Sequence, residues 1–206
     1  MKIFGIGLSR TGTMSLHYAL ITLGYKSHFV FEGEEEIIEE LSEFDAFTHT
    51  PLASVYKKLD RQFPDSKFIL TVRNNCENWL NSCEKQMNLV SEINKDSIAL
   101  KKVLLRTYGT ETFNREMYRS AYIKHFNDVT HYFANRESDI LILDICSGEG
   151  FEKLCPFLGK SIPTQPFPQK NSISSLQRPS QKLKRFLIYK MKAREIKRFL
   201  MKFYGN

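Results

Sequence analysis

With 206 residues and a net charge of +7, the chain suits one domain around a single sizeable core and is short for two ordinary ones. Hydrophobic residues at 42 % and charged residues at 26 % exclude wholesale disorder and a fibrous repeat. No run reaches the roughly 18 uninterrupted apolar residues of a membrane span, and Met1-Lys2-Ile3-Phe4-Gly5 is no signal-peptide core, so the expected compartment is the cytoplasm.

Lys2 to Leu8 reads as a short buried strand running into a glycine turn. A helix is predicted from Thr13 to Leu23, where Leu16, Ala19, Leu20 and Leu23 keep helical spacing and Gly24 marks the stop. Glu32 to Glu43 reads as an acidic helix with a solvated face. Asp45 to Thr48 follows as a second strand, ending at His49-Thr50-Pro51, with a helix from about Leu52 to Phe63. Lys67 to Val72 is the third strand. Asn75 to Ala134 is helical in pattern, three helices with a break near Tyr108-Gly109-Thr110. Asp139 to Ile145 supplies a fourth strand and Gly150 to Leu158 a short helix. Proline, serine and glutamine then dominate to Pro179, the composition of a lid or linker, and Ser180 to Tyr204 reads as a basic helix. Strands alternating with helices predict an α/β fold, a three-layer P-loop-like domain over residues 1–175 with a central parallel sheet flanked by helices. Residues 176–206 form the basic C-terminal helix or tail. Cys76, Cys83, Cys146 and Cys155 form no CxxC pair and read as reduced structural thiols.

The chemistry concentrates after the first strand. Gly7-Leu8-Ser9-Arg10-Thr11-Gly12-Thr13-Met14-Ser15 has the strand, turn and helix context of a phosphate cradle, in which backbone N–H groups and the helix dipole favour an anion. The spacing of Gly7 and Gly12 equals that of GxxxxGK[ST], but Thr13 replaces the lysine and Met14 the metal-binding hydroxyl. Triphosphate chemistry is therefore disfavoured. Arg10 brings the cation to the near side of the loop instead.

These residues resemble those of the PAPS-dependent sulfotransferases, whose opening loop carries Lys or Arg followed by Ser/Thr-Gly-Thr. Asp45-Ala-Phe-Thr-His-Thr-Pro51 is similar to the second-strand motif of cytosolic members. Phe68-Ile-Leu-Thr-Val-Arg73, with Trp79 and Ser82, resembles the element that grips the nucleotide's 3′-phosphate. Ile140 to Asp144, Phe151 to Leu158, and Ile162-Pro163 with Pro166-Phe167-Pro168 resemble the late segments of a small, single-domain branch, so the likeness spans roughly residues 3–171. Arg73 and Ser82 are nine apart where the family usually has eight, which places one extra residue in Asn74-Asn75-Cys76.

The resemblance implies PAPS as donor, PAP as product and no metal. It implies donor contacts from Arg10, Thr11, Gly12, Thr13, Met14, Ser15, Arg73 and Ser82, with Arg10 also neutralising the leaving phosphosulfate oxygen and His49 acting as base. His17, His28, His125 and His131 lack such context and read as structural or surface residues; Trp79 reads as helix core and Asp144 as a buried hydrogen-bonding residue. The acceptor is left open among a small molecule, a saccharide and a lipid-linked alcohol or amine. Rival readings are an ATP-dependent small-molecule kinase and a non-catalytic nucleotide-binding module.

The charge is unevenly spread. Ten Lys or Arg and one acidic residue, Glu195, give positions 176–206 a charge of +9, which leaves −2 for the rest of the +7 chain. Ile196, Phe199, Leu200 and Phe203 share a helical face, while Lys192, Lys197, Arg198 and Lys202 cover much of the rest. Such a helix suits an anionic membrane surface, a site on the body or an oligomer contact, whereas no recognition motif points to nucleic acid.

Overall fold

The computed structural model describes residues 1–30, 42–93 and 97–169. Five short strands, β1 (Ile3–Gly5), β2 (Ser27–Phe29), β3 (Ala46–Thr48), β4 (Lys67–Thr71) and β5 (Ile140–Leu143), form one parallel sheet in the order β2-β3-β1-β4-β5. The helices are α1 (Thr13–Thr22), α2 (Tyr56–Gln62), α3 (Cys76–Ile93), α4 (Ile98–Tyr108), α5 (Arg115–Tyr132) and α6 (Phe151–Leu158). The chain visits β2 and β3 on one side of β1 before crossing to β4 on the other. The loop after β1 therefore opens at the reversal of strand order, where open α/β sheets hold ligands.

Period-two alternation sorts each strand's side chains into two layers. Phe4, Phe47, Phe68 and Leu70 join Tyr56 and Leu59 of α2 and Val129 of α5 on one face. Ile3, Ala46 and Ile69 join Leu16 and Leu20 of α1 and Leu154 and Leu158 of α6 on the other. Phe4 has its ring centroid 5.9 Å from that of Phe47 and 5.4 Å from that of Phe68, so the sheet's middle is locked by aromatic contacts. A third cluster lies beyond the strand ends, where Leu8 and Ala53 meet Trp79, Leu80 and Cys83 of α3, Leu104 and Tyr108 of α4, and Tyr118 of α5. This helical block forms one wall beside the loop.

Four elements differ from their sequence reading, one being the strand expected over Asp139 to Ile145, which is trimmed to β5 with a 3₁₀ turn near each end. β2 was not anticipated; its Ser-His-Phe is half-buried throughout and too short to display an alternation. The helix expected from Leu52 is divided into a 3₁₀ turn, Thr50–Ser54, and α2. β1 ends at Gly5, although Ile6 N–H still bonds to the Ile69 carbonyl at 2.9 Å before the chain turns away. The three helices between β4 and β5 are present, and Gly109 ends α4 at φ 74°. Residues 32–41 of the acidic helix, residues 170–179 of the lid or linker and the basic helix at 180–204 lie outside the described residues.

Candidate active site

The loop after β1 is shaped by its own hydroxyls. Fully buried Thr11 donates from Oγ1 to the Leu8 carbonyl at 2.7 Å, and the same oxygen lies 2.6 Å from Thr71 Oγ1 at the end of β4. Thr11 thus holds the turn closed and moors it to the neighbouring strand. Gly12 takes φ 99° at the N-cap of α1 with no side-chain cap. Thr13, Met14 and Ser15 form the first turn, whose amides lack intrahelical partners in any α-helix. Thr13 and Ser15 are buried, whereas Gly12 and Met14 are half-buried.

Arg10 projects from this loop toward α3. Its Nε donates to Ser82 Oγ at 2.9 Å, which joins two candidate donor-binding residues 72 positions apart. The one-residue excess between Arg73 and Ser82 does not prevent this meeting. Arg73 follows β4, and its backbone is clamped by one side chain: its N–H donates to Tyr122 Oη at 2.9 Å, and the Tyr122 hydroxyl donates to its carbonyl at 2.8 Å. The next residue, Asn74, donates its N–H to Asp144 Oδ2 at 2.7 Å, so the buried Asp144 fastens this turn to the loop after β5.

The two arginines share an electrostatic neighbourhood. Burial pushes the Cys83 thiol up to about 12, and the positive charges of Arg10 and Arg73 both oppose that rise. Desolvation also raises the exposed Cys146 thiol, again against Arg73 and Arg10. Cys83 lies on α3 and Cys146 after β5, so both positive charges are felt on the helix after β4 and at the turn after β5.

His49 stands on the opposite side of the loop, after β3. Its Nδ1 is 2.8 Å from the Val30 carbonyl, which can only accept, so Nδ1 carries the proton and Nε2 is the basic nitrogen of the neutral ring. The imidazole lies over Phe29 with centroids 4.2 Å apart. Phe29 of β2 and Val30 just beyond it thus support the His49 ring.

Among non-glycine residues described, positive φ occurs at Arg10 (69°), His49 (114°) and Asp65 (64°). Asp65 lies in the Pro64-Asp65-Ser66 turn, where aspartate tolerates this region. For the other two, strain of order 1–3 kcal/mol persists only where surroundings over-determine the backbone, a pattern that concentrates at functional sites.

Three other histidines have structural partners, His28 packing against Phe44 and Phe47. His125 Nε2 is 2.8 Å from the Ile6 carbonyl, beneath the loop, and His17 Nδ1 is 2.9 Å from Ser27 Oγ. Trp79 is fully buried and donates Nε1–H to the Ser9 carbonyl at 2.8 Å, which makes it a strut for the loop. Ser9, Thr50, Thr71 and Tyr122 were missed by sequence reading. Ser9 and Thr50 carried one signal, a hydroxyl beside each candidate catalytic residue; Tyr122 carried none.

A family model described as a sulfotransferase domain matches residues 2–40 and 31–176. The chain is also similar to "Ava biosynthesis cluster protein M" of Aspergillus versicolor, with 27 % identity over an alignment covering 82 % of this chain and 80 % of that protein.

Proposed function

This chain belongs to the sulfotransferase family, and we propose that it moves a sulfuryl group from PAPS to a hydroxyl or amine acceptor. The observation carrying this reading is the 2.9 Å bond from Arg10 to Ser82, which closes the loop after β1 onto the helix after β4. Two cationic grips, one after β1 and one after β4, suit a ligand with two separated phosphates, and the glycine-lined loop leaves room for backbone amides at one of them. PAPS supplies the sulfuryl group: its sulfur–phosphate oxygen bond breaks as the acceptor oxygen or nitrogen bonds to sulfur, and the electron pair remains on the phosphate of PAP.

The chain's own residues do the rest. His49 Nε2 accepts the acceptor's proton while the Val30 carbonyl holds Nδ1–H and stabilises the imidazolium. Arg10, with the first-turn amides of α1, offsets the charge that collects on the leaving oxygen. Arg73 meets the 3′-phosphate, and Ser82 orients Arg10 and takes part in that grip. Thr11 contributes by fixing the loop. Similarity to a protein named for a biosynthesis cluster favours a small-molecule acceptor.

Calorimetry with PAP, AMP and ATP tests the donor assignment. PAP is expected to bind at least tenfold more tightly than AMP or ATP, and Arg73→Ala should erase most of that preference. Equal affinity for PAP and AMP defeats the role given to Arg73. In turnover assays, His49→Ala should lower kcat by about 10²–10⁴-fold, the usual worth of a positioned base, with PAP affinity unchanged. Full activity in that variant removes His49 from the mechanism.

A further inference from the structure

The two residues given catalytic roles each have a hydroxyl-bearing neighbour, and those neighbours touch. Ser9 precedes Arg10, Thr50 follows His49, and their side-chain oxygens share a hydrogen bond of 2.7 Å across 41 positions of sequence. Thr50 is 2 % exposed, so a lost partner there is not readily replaced by water.

Both ends of the bond are held by independent contacts. The Ser9 carbonyl accepts the Trp79 indole N–H at 2.8 Å from the helical block. Thr50 opens the 3₁₀ turn, within which Leu52 N–H donates to the His49 carbonyl at 3.2 Å, and α4 packs against that turn. On either side of the bond stands a residue with positive φ, Arg10 at 69° and His49 at 114°. Neither conformation is one that the local chain favours, so each needs an outside constraint.

We propose that the Ser9–Thr50 pair is a clasp that fixes the Arg10 loop in register with His49. Its catalytic consequence rests on the sulfotransferase reading; its mechanical consequence does not. In-line transfer requires the acceptor oxygen, the sulfur and the leaving oxygen to be aligned, and small displacements of one loop against the other lower the rate steeply. Ser9 and Thr50 are positioning residues: they act through Arg10 and His49. The Arg10–Ser82 bond orients the guanidinium from the far side, whereas the clasp sets the backbone from which it springs.

Hydrogen exchange on the full, ligand-free chain tests the mechanical part, with Thr50→Val, Ser9→Ala and Thr50→Ser compared and the core amides of β4 as internal reference. Thr50→Val should speed exchange at Thr11, whose N–H bonds to the Leu8 carbonyl at 3.4 Å, by on the order of tenfold. Ser9→Ala should do the same at Leu52, and Thr50→Ser should restore protection. Changes confined to the mutated loop, or no larger than those in β4, overturn the clasp. Turnover with PAPS and a panel of simple phenols and alcohols tests the catalytic part. Thr50→Val and Ser9→Ala should each lose about tenfold in kcat with PAP affinity within threefold, Thr50→Ser should keep most of the rate, and Ser9→Ala/Thr50→Val should lose no more than either alone; additive losses overturn the coupling. A wild-type chain that fails to bind PAP refutes the donor assignment instead, and exchange alone then decides the clasp.

Discussion

At Gly7 the fold admits a hydrogen and nothing larger. A Cβ built there would stand 1.9 Å from Thr71 Oγ1 and 2.6 Å from the Thr71 carbonyl oxygen, and the second of these atoms is backbone at the end of β4. The close approach is the same one that lets Thr11 reach Thr71, so the loop cannot move away without losing its mooring. Gly7→Ala is therefore expected to cost about 3 kcal/mol, the upper part of the range for overpacking, with PAP binding lost beyond that. Denaturant unfolding followed by calorimetry checks both; a variant within 0.5 kcal/mol of wild type, on the order of an inert surface change, would show that the loop slides freely. At this scale the candidate residues legible in the sequence are those of telling type in a telling context. Arg10, Gly12, His49 and Arg73 stand out by type and context. Thr11 did not reveal that its hydroxyl faces inward, and Tyr122 lies 49 positions from the backbone it clamps, a pairing that only the folded chain creates.

β2 shows how one element links stability to the site. His17 of α1 meets Ser27 at its start, Phe29 lies under His49, and the Val30 carbonyl just beyond its end accepts a hydrogen bond from His49 Nδ1–H. Burial, with the charge of His28 adding to it, pushes the His17 ring from its ordinary 6.5 down to about 4. Because the folded value lies below the unfolded one, the unfolded chain binds more protons as pH falls, and the contribution is full above about 6.5 and lost on descent toward 4. The single-site relation gives a loss of about 2 kcal/mol between pH 7 and pH 5, a window above most carboxylate titration. Urea unfolding across that window should show it, and His17→Gln should reduce the slope, the remainder belonging to His125, whose ring burial also holds below its ordinary value; an unchanged slope assigns the proton uptake elsewhere. This strand escaped sequence reading because three half-buried residues on a sheet edge carry neither a run of apolar side chains nor a period. β4, with four consecutive buried residues, and the helices between β4 and β5 were legible because burial and periodicity left their imprint over longer spans.

For the whole molecule the deciding feature is the separation of charge, +9 in positions 176–206 against −2 in the remainder. The described body holds its own end in place: Phe167 packs edge-on against Phe151 with centroids 4.9 Å apart, and a Cβ on Gly150 would stand 3.0 Å from the Phe167 ring. That anchor precedes the basic segment, so a chain ending at residue 175 keeps every contact described for the body. Among the described residues no helix is long and apolar enough to cross a membrane. Each Lys or Arg near an anionic bilayer adds about 1 kcal/mol, and the apolar set Ile196, Phe199, Leu200 and Phe203 gives the same segment something to insert. The full chain is therefore expected to sediment with vesicles containing phosphatidylserine at low salt and to be released near 0.5 M salt, where the Debye length falls to about 4 Å. The 1–175 chain should not sediment, yet should bind PAP within twofold of the full chain. Retained vesicle binding would move the lipid contact to the body. Lost PAP binding would make the basic segment part of the donor site, because a body of charge −2 gains nothing for a polyphosphate from long-range attraction.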